Sequence, residues 1–270
     1  MSPSPEPQPS HRDPSERVLA VVPARLRSTR MPEKMLRRET GQFLFEHTVR
    51  NVEAAGVADR VVLATDSDKI GAAAREVGIA SVLTAEAHAS GTDRVHETVE
   101  QLAAEGSAFD VVLGVQGDEP ELSAACFAGL VASFADPRVQ AATLSSPLHA
   151  AHEAADPNVV KVVCDANGDA LYFSRAPIPH DRDQAEDGWR AMQRHIGVYA
   201  FRPEALRRFT ALAPSRLETL ERLEQLRWLE AGETMRVVAV APQPAGIDTE
   251  AQYQAFVSRT SGQKPIPTRT

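Results

Sequence analysis

Between residues 17 and 258, short apolar runs of strand length alternate with amphipathic stretches of helical period. RVLAVVPAR, RVVLATD, ASVLTA, DVVLGVQGD and QAATLSSPL read as strands. FLFEHTVRNVEAA, KIGAAAREV and the stretches near 92–105 and 123–135 read as the helices between them. Such alternation predicts parallel strands joined by crossover helices, and so an α/β fold with a mostly parallel sheet. After Pro147 the rhythm changes. NVVKVVCDANGDALYFSR sets two β-rich runs around Asn167-Gly168, a hairpin signal, and an antiparallel insertion is predicted at about 150–200. The strand RHIGVYAF, helices at about 203–211 and 216–231, the strand MRVVAV and a short helix after Gly246 complete the pattern.

The two ends do not share this pattern. Residues 1–16 are rich in Pro, Ser and charge without periodicity and are expected to form a disordered arm, and residues 259–270 read as a flexible tail. No apolar run approaches the roughly 20 residues that cross a bilayer, and the first residues lack the apolar centre of a signal peptide. A cytoplasmic protein with no membrane insertion is the expectation. The formal net charge of -8 and a pI near 5.5 argue against nucleic acid as a partner. Any phosphate handled is then small and held by a few local cations. Cys126 and Cys164 have no Cys or His at metal spacing and read as small core residues.

Candidate chemistry gathers where strands end, the edge at which open α/β sheets bind ligands. The first strand runs into PARLRSTRMPEKML, which carries Arg25, Arg27, Ser28, Thr29, Arg30 and Lys34 in one loop. Forked guanidinium groups, a point-charge ammonium and hydroxyls suit a triphosphate, although a solvated basic loop has the same composition. The loop is neither a Walker A motif nor GxGxxG, which disfavours a P-loop ATPase or a dinucleotide-binding dehydrogenase. VQGDEP closes the fourth strand with Gln116, Gly117, Asp118 and Glu119; a strand-end Asp suits magnesium, and an acidic turn would read alike. GIDT supplies Asp248 just before a helix, where Asp and Thr also serve as caps. In HASGTDR, Ser90 or Thr92 can cap the next helix. Strand alternation puts His195, Gly197 and Tyr199 on one face. In SRLETLERLEQLRWLEAG, Leu217, Leu220, Leu223 and Leu226 form one apolar stripe of a packing helix.

In their order, PAR…STR…P.K, SGTDR, VQGDEP, YFSRAPIP, RHIGVYAF and GIDT resemble the CMP-Kdo synthetase (3-deoxy-manno-octulosonate cytidylyltransferase) family over about residues 17–257. The resemblance implies a Rossmann-like three-layer nucleotidyltransferase fold. It implies transfer of CMP from CTP to the anomeric hydroxyl of Kdo, releasing pyrophosphate and giving CMP-Kdo for lipopolysaccharide-type glycan synthesis. It assigns Arg25 and Lys34 to the triphosphate, and Ser90, Gly91 and Arg94 to the cytosine pocket. Asp118 and Asp248 become ligands of Mg²⁺, while Gln116, Arg175, His195, Tyr199 and Glu218 contact the sugar, with Arg175 on its carboxylate. A homodimer is implied, with the antiparallel element near the interface. One departure is Glu33, where the family usually has Gly; a carboxylate there is repelled by a triphosphate unless it turns outward. Rival readings are a nucleotidyltransferase for a related acidic sugar, such as 8-amino-8-deoxy-Kdo or a sialate-like acid, and a non-catalytic nucleotide-binding module.

Overall fold

The structure, a computed structural model, describes residues 16–28, 31–183 and 185–261. The expected arm and tail lie outside these residues except for Glu16 and 259–261, as do Thr29 and Arg30 of the cationic loop. Glu16 accepts from Arg202 at 2.7 Å. The last helix runs to Thr260, past the expected limit at 258, because Arg259 reaches across to Glu121 at 2.9 Å.

The strands are β1 (Val18–Ala24), β2 (Arg60–Thr65), β3 (Ser81–Leu83), β4 (Val111–Gly114), β5 (Ala141–Pro147), β6 (Lys161–Cys164), β7 (Ala170–Ser174), β8 (Gln193–Phe201) and β9 (Arg236–Ala239). They form a 9-stranded sheet in the order β3-β2-β1-β4-β8-β5-β9, with the β6–β7 hairpin attached to β8. β1 pairs in parallel with β2 and β4, and β5 with β9. β8 runs antiparallel to both its neighbours, β4 and β5. The predicted antiparallel element therefore includes a central strand of the sheet as well as the hairpin.

Alternate residues of the buried strands feed two cores. Val18, Ala20 and Val22 of β1 face one layer with Leu44 and Val49 of α1 (Leu44–Ala55), Ile70 of α2 (Asp68–Glu76) and Leu130 of α4 (Ala124–Ser133). Leu19 and Val21 face the other, with Val95 and Leu102 of α3 (Gly91–Ala104) and Phe209 of α6 (Pro203–Ala211). This is the three-layer α/β/α arrangement, and each fully buried aliphatic side chain contributes about 1.5–3 kcal/mol to it.

One predicted helix divides. The stretch expected at 216–231 forms α7 (Arg216–Glu221) and α8 (Leu226–Glu230), separated at Arg222, which is left-handed with φ 54°. The leucine stripe explains the division. Leu223 and Leu226 are 6% and 0% exposed, whereas Leu220 is 70% exposed, so the four leucines do not share one buried face. Turning the chain at Arg222 buries Leu223 and Gln225 and brings Glu224 to a cavity above the sheet.

Candidate active site

β1 and β4 are parallel neighbours, so the segments leaving their carboxyl ends lie side by side. Gly117 makes that approach possible: a Cβ there would meet Pro23 O and Met35 Sδ, each at 2.9 Å. Distant chain closes the site at the other flank. Ile247 N–H donates to Asp118 O at 2.9 Å, pinning the segment before the last helix α9 (Glu250–Thr260) against the end of β4. Asp118 and Asp248 are thereby brought together around Lys34. Lys34 is 6% exposed, and its ammonium lies 2.6 Å from Asp118 Oδ2, 2.7 Å from Ile247 O and 3.4 Å from Asp248 Oδ1.

Two cavities open onto this cluster. A cavity of about 420 Å³ is lined by Arg25, Arg27, Ser28, Lys34, Gly91 and Gly117 among others. A larger one of about 710 Å³ is lined by Glu119, Arg194, His195, Tyr199, Arg222 and Glu224 among others. Gln116, Asp118 and Asp248 line both. The smaller is a cationic pocket of the right chemistry for a triphosphate, and the larger carries groups that suit a polyhydroxylated acid. Gly91 leaves room for Gln116, whose amide would lie 3.0 Å from an added Cβ.

Electrostatics sort the larger cavity. His195 Nε2 lies 2.9 Å from Thr143 Oγ1, which is 2.8 Å from Val198 O. With the threonine hydroxyl donating to that carbonyl, the ring would hold its proton on Nε2 and present Nδ1 as an acceptor. Burial, reinforced by the Arg194 charge, holds His195 down to about 3, so it is neutral throughout the working range. Burial also raises the Tyr199 hydroxyl, with Glu224 adding to the effect, and raises Glu224 itself. Glu119 is pushed up to about 8 by burial first and then by the charge of Asp118, so it is mainly protonated at neutral pH. The site thus keeps one carboxyl neutral beside the two acidic groups that face Lys34.

Several side chains expected to meet ligand are engaged with the protein in this structure. Arg94 is fully buried, donating to Asp66 at 2.8 Å, Thr84 at 2.7 Å and Ala85 O at 3.1 Å, so it braces the surrounding loops and lines neither cavity. The Arg175 guanidinium donates to three main-chain carbonyls, Glu221 O at 2.6 Å, Pro157 O at 2.7 Å and Arg222 O at 3.2 Å. In that position, expected to meet a sugar carboxylate, it ties Pro157, Glu221 and Arg222 together beside the larger cavity, which Arg222 lines. Glu218 caps α7 through Ser215 N–H and pairs with Arg227 at 2.8 Å, away from both cavities. Ser90 Oγ accepts from Asp93 N–H at 3.1 Å as the cap of α3. By contrast His195 and Tyr199 do share one face of β8, with ring centroids 5.6 Å apart.

The cytidylyltransferase pattern matches residues 19–235, most of the chain and of the sheet just described. The chain belongs to the cytidylyltransferase family. The 3-deoxy-manno-octulosonate cytidylyltransferase of Nitratidesulfovibrio vulgaris is 50% identical over 239 residues, covering 88% of this chain and 94% of that protein. The protein of the same name from Acidobacterium capsulatum is 46% identical over 238 residues, with the same coverage of 88% and 94%. A solved structure of CMP:2-keto-3-deoxy-manno-octonic acid synthetase complexed with CTP superposes at a TM-score of 0.83 and 33% identity, covering 91% of this chain and 99% of that one.

Sequence reading passed over three cavity residues of this cytidylyltransferase. Arg194 precedes His195 in the motif itself, and its guanidinium lies 2.9 Å from His149 Nε2 at the cavity wall. Arg222 and Glu224 sit where a continuous helix was expected, and a helix would have sent them to solvent or packing. The cationic loop after β1 also shows where Glu33 points. Its carboxylate turns outward to Lys69 Nζ, at 2.6 and 2.7 Å, from a backbone held at φ 53°. A left-handed conformation costs a non-glycine residue about 1–2 kcal/mol, and a half-exposed ion pair returns under about 1 kcal/mol. Glu33→Gly is therefore expected to leave stability unchanged or raise it by up to about 1 kcal/mol, with the CTP KM within about twofold of the parent. Thermal melts and a CTP titration check this, and a tenfold change in KM would place the carboxylate against the triphosphate after all.

Proposed function

We infer that this enzyme is a 3-deoxy-manno-octulosonate cytidylyltransferase, transferring CMP from CTP to the anomeric hydroxyl of Kdo with release of pyrophosphate. The observation that carries the reading is the sharing of Gln116, Asp118 and Asp248 by a cationic pocket and a polar one. A donor nucleotide in the first and an acceptor sugar in the second meet only at those residues. Attack at the α-phosphorus needs no covalent enzyme intermediate, so the protein's work is positioning and charge neutralisation.

In this reading Arg25, Arg27, Ser28 and Lys34 grip the triphosphate and follow the charge that develops on the departing pyrophosphate. Arg194 and Arg222 take the sugar carboxylate in place of Arg175, because they line the larger cavity and Arg175 does not. Neutral His195, Tyr199, Gln116 and Glu224 offer donors and acceptors to sugar hydroxyls. Asp118 and Asp248 fit Mg²⁺, which takes one or two carboxylates together with phosphate and water oxygens. An ion held by these two carboxylates would supply neutralisation of phosphate charge and a lower pKa for the attacking hydroxyl. The reading extends to a homodimer near the β6–β7 hairpin, where Leu171 is 63% exposed, and to the cytoplasm, where CTP is available. No helix among the described residues is long and apolar enough to cross a membrane.

Pyrophosphate release over a panel of nucleotides and sugars tests this. With Mg²⁺, CTP and Kdo are expected to react at least tenfold faster than UTP, ATP or GTP, and faster than CTP with 8-amino-8-deoxy-Kdo or a sialic acid, since a lost pocket hydrogen bond alone costs about that factor. Binding of CTP without any pyrophosphate release from any pair would leave the nucleotide-binding module standing in its place.

A further inference from the structure

We propose that Lys34 is an internal stand-in for the divalent cation, so that metal and nucleotide enter together by exchanging with its ammonium. The observation is a complete donor count. An ammonium has three N–H donors, and those of Lys34 are directed at Asp118 Oδ2 (2.6 Å), Ile247 O (2.7 Å) and Asp248 Oδ1 (3.4 Å). None is left for a phosphate. Yet Lys34 lines the smaller cavity beside Arg25 and Arg27, so reaching a triphosphate there requires it to release at least one of these acceptors.

The two carboxylates are built to accept the replacement. The Lys34 side chain is 8% exposed, whereas those of Asp118 and Asp248 are 26% and 45% exposed, so the ammonium is enclosed while the carboxylates open to the cavities. A dication between them would face the enclosed ammonium at short range, a repulsion that a low-dielectric site does not screen. The four-carbon stem of lysine can swing, and a triphosphate supplies the acceptors that reward it for doing so. Each event therefore assists the other. Nucleotide draws the ammonium toward phosphate, the vacated carboxylates bind metal, and by linkage metal strengthens nucleotide binding by the same factor. The inference rests on the reading of the smaller cavity as the triphosphate site.

Mn²⁺ binding to the full chain, followed by electron paramagnetic resonance without any turnover, tests it. Without nucleotide, Lys34→Met is expected to bind Mn²⁺ about tenfold or more tighter than the parent, because one opposing charge has gone from the carboxylate pair. Lys34→Gln, which keeps a donor for Ile247 O, is expected to show the same gain and serves if the methionine variant does not fold. Adding Asp118→Asn to either should abolish the gain. In the parent, CTP is expected to tighten Mn²⁺ by a larger factor than in the variants. Unchanged or weaker nucleotide-free Mn²⁺ binding in both Lys34 variants overturns the proposal. Tighter binding in the variants with no effect of CTP on the parent would uphold the exchange of lysine for metal and sink CTP as the nucleotide.

Discussion

Asp118→Asn is expected to lower kcat about a thousandfold, equivalent to about 4 kcal/mol of transition-state stabilisation, while the fold persists. A large loss is expected because Asp118 lines both cavities and faces Lys34, which in the proposed reading puts one side chain between donor and acceptor. The fold persists because asparagine keeps the shape, and the Lys34 ammonium retains Ile247 O and Asp248 as partners. The main-chain link from Ile247 N–H to Asp118 O does not depend on the side chain at all. Asp248→Asn should show the same pattern. Pyrophosphate release and a thermal melt measure the two halves of the expectation; near-parental turnover in both variants would remove the carboxylates from the chemistry.

The second large effect falls on stability. Arg94→Met is expected to destabilise the protein by about 3–5 kcal/mol, the cost of leaving one member of an enclosed ion pair without its partner. The side chains of Arg94 and Asp66 are 1% and 10% exposed, and the pair closes at 2.8 Å. Burial pulls the Arg94 pKa down and the Asp66 charge opposes it, so the carboxylate keeps the cation in place. Asp66 also accepts from Leu26 N–H at 3.3 Å, so its disturbance spreads to the loop after β1 and should raise the CTP KM secondarily. Urea denaturation of Arg94→Met, Asp66→Asn and the double variant separates these effects. Partial recovery in the double variant is expected. A melt unchanged from the parent with CTP binding lost would return Arg94 to the base pocket.

Both expectations depend on information of different depth. Strand–helix alternation, and so the layered sheet, was legible because burial on both faces of a parallel strand leaves a continuous apolar run such as VLAVVPA. The direction of β8 was not legible. RHIGVYAF is apolar in the same way whichever direction it runs, and only pairing with β4 and β5 makes it antiparallel. The helix break at Arg222 was hidden for a similar reason: LETLERLEQLRWL carries helical period throughout, and tertiary burial of Leu223 and Gln225 overrode it.

The sequence by itself determined the elements, the cationic loop at the end of β1 and the acidic ends of the segments bearing Asp118 and Asp248, because periodicity and strand ends are local properties of the chain. The tertiary structure decided which of the polar groups are free to act. Arg25 and Arg175 have the same guanidinium, yet among the described residues Arg25 gives one bond, to Ala89 O at 3.0 Å, and lines a cavity, while Arg175 is held by carbonyls of Pro157, Glu221 and Arg222. It also decided that Asp248 stands beside Lys34 across 214 positions of chain. The physical reason is common to both: a donor is satisfied by whatever acceptor the folded chain brings within about 3 Å, and that neighbour is set by packing between distant segments.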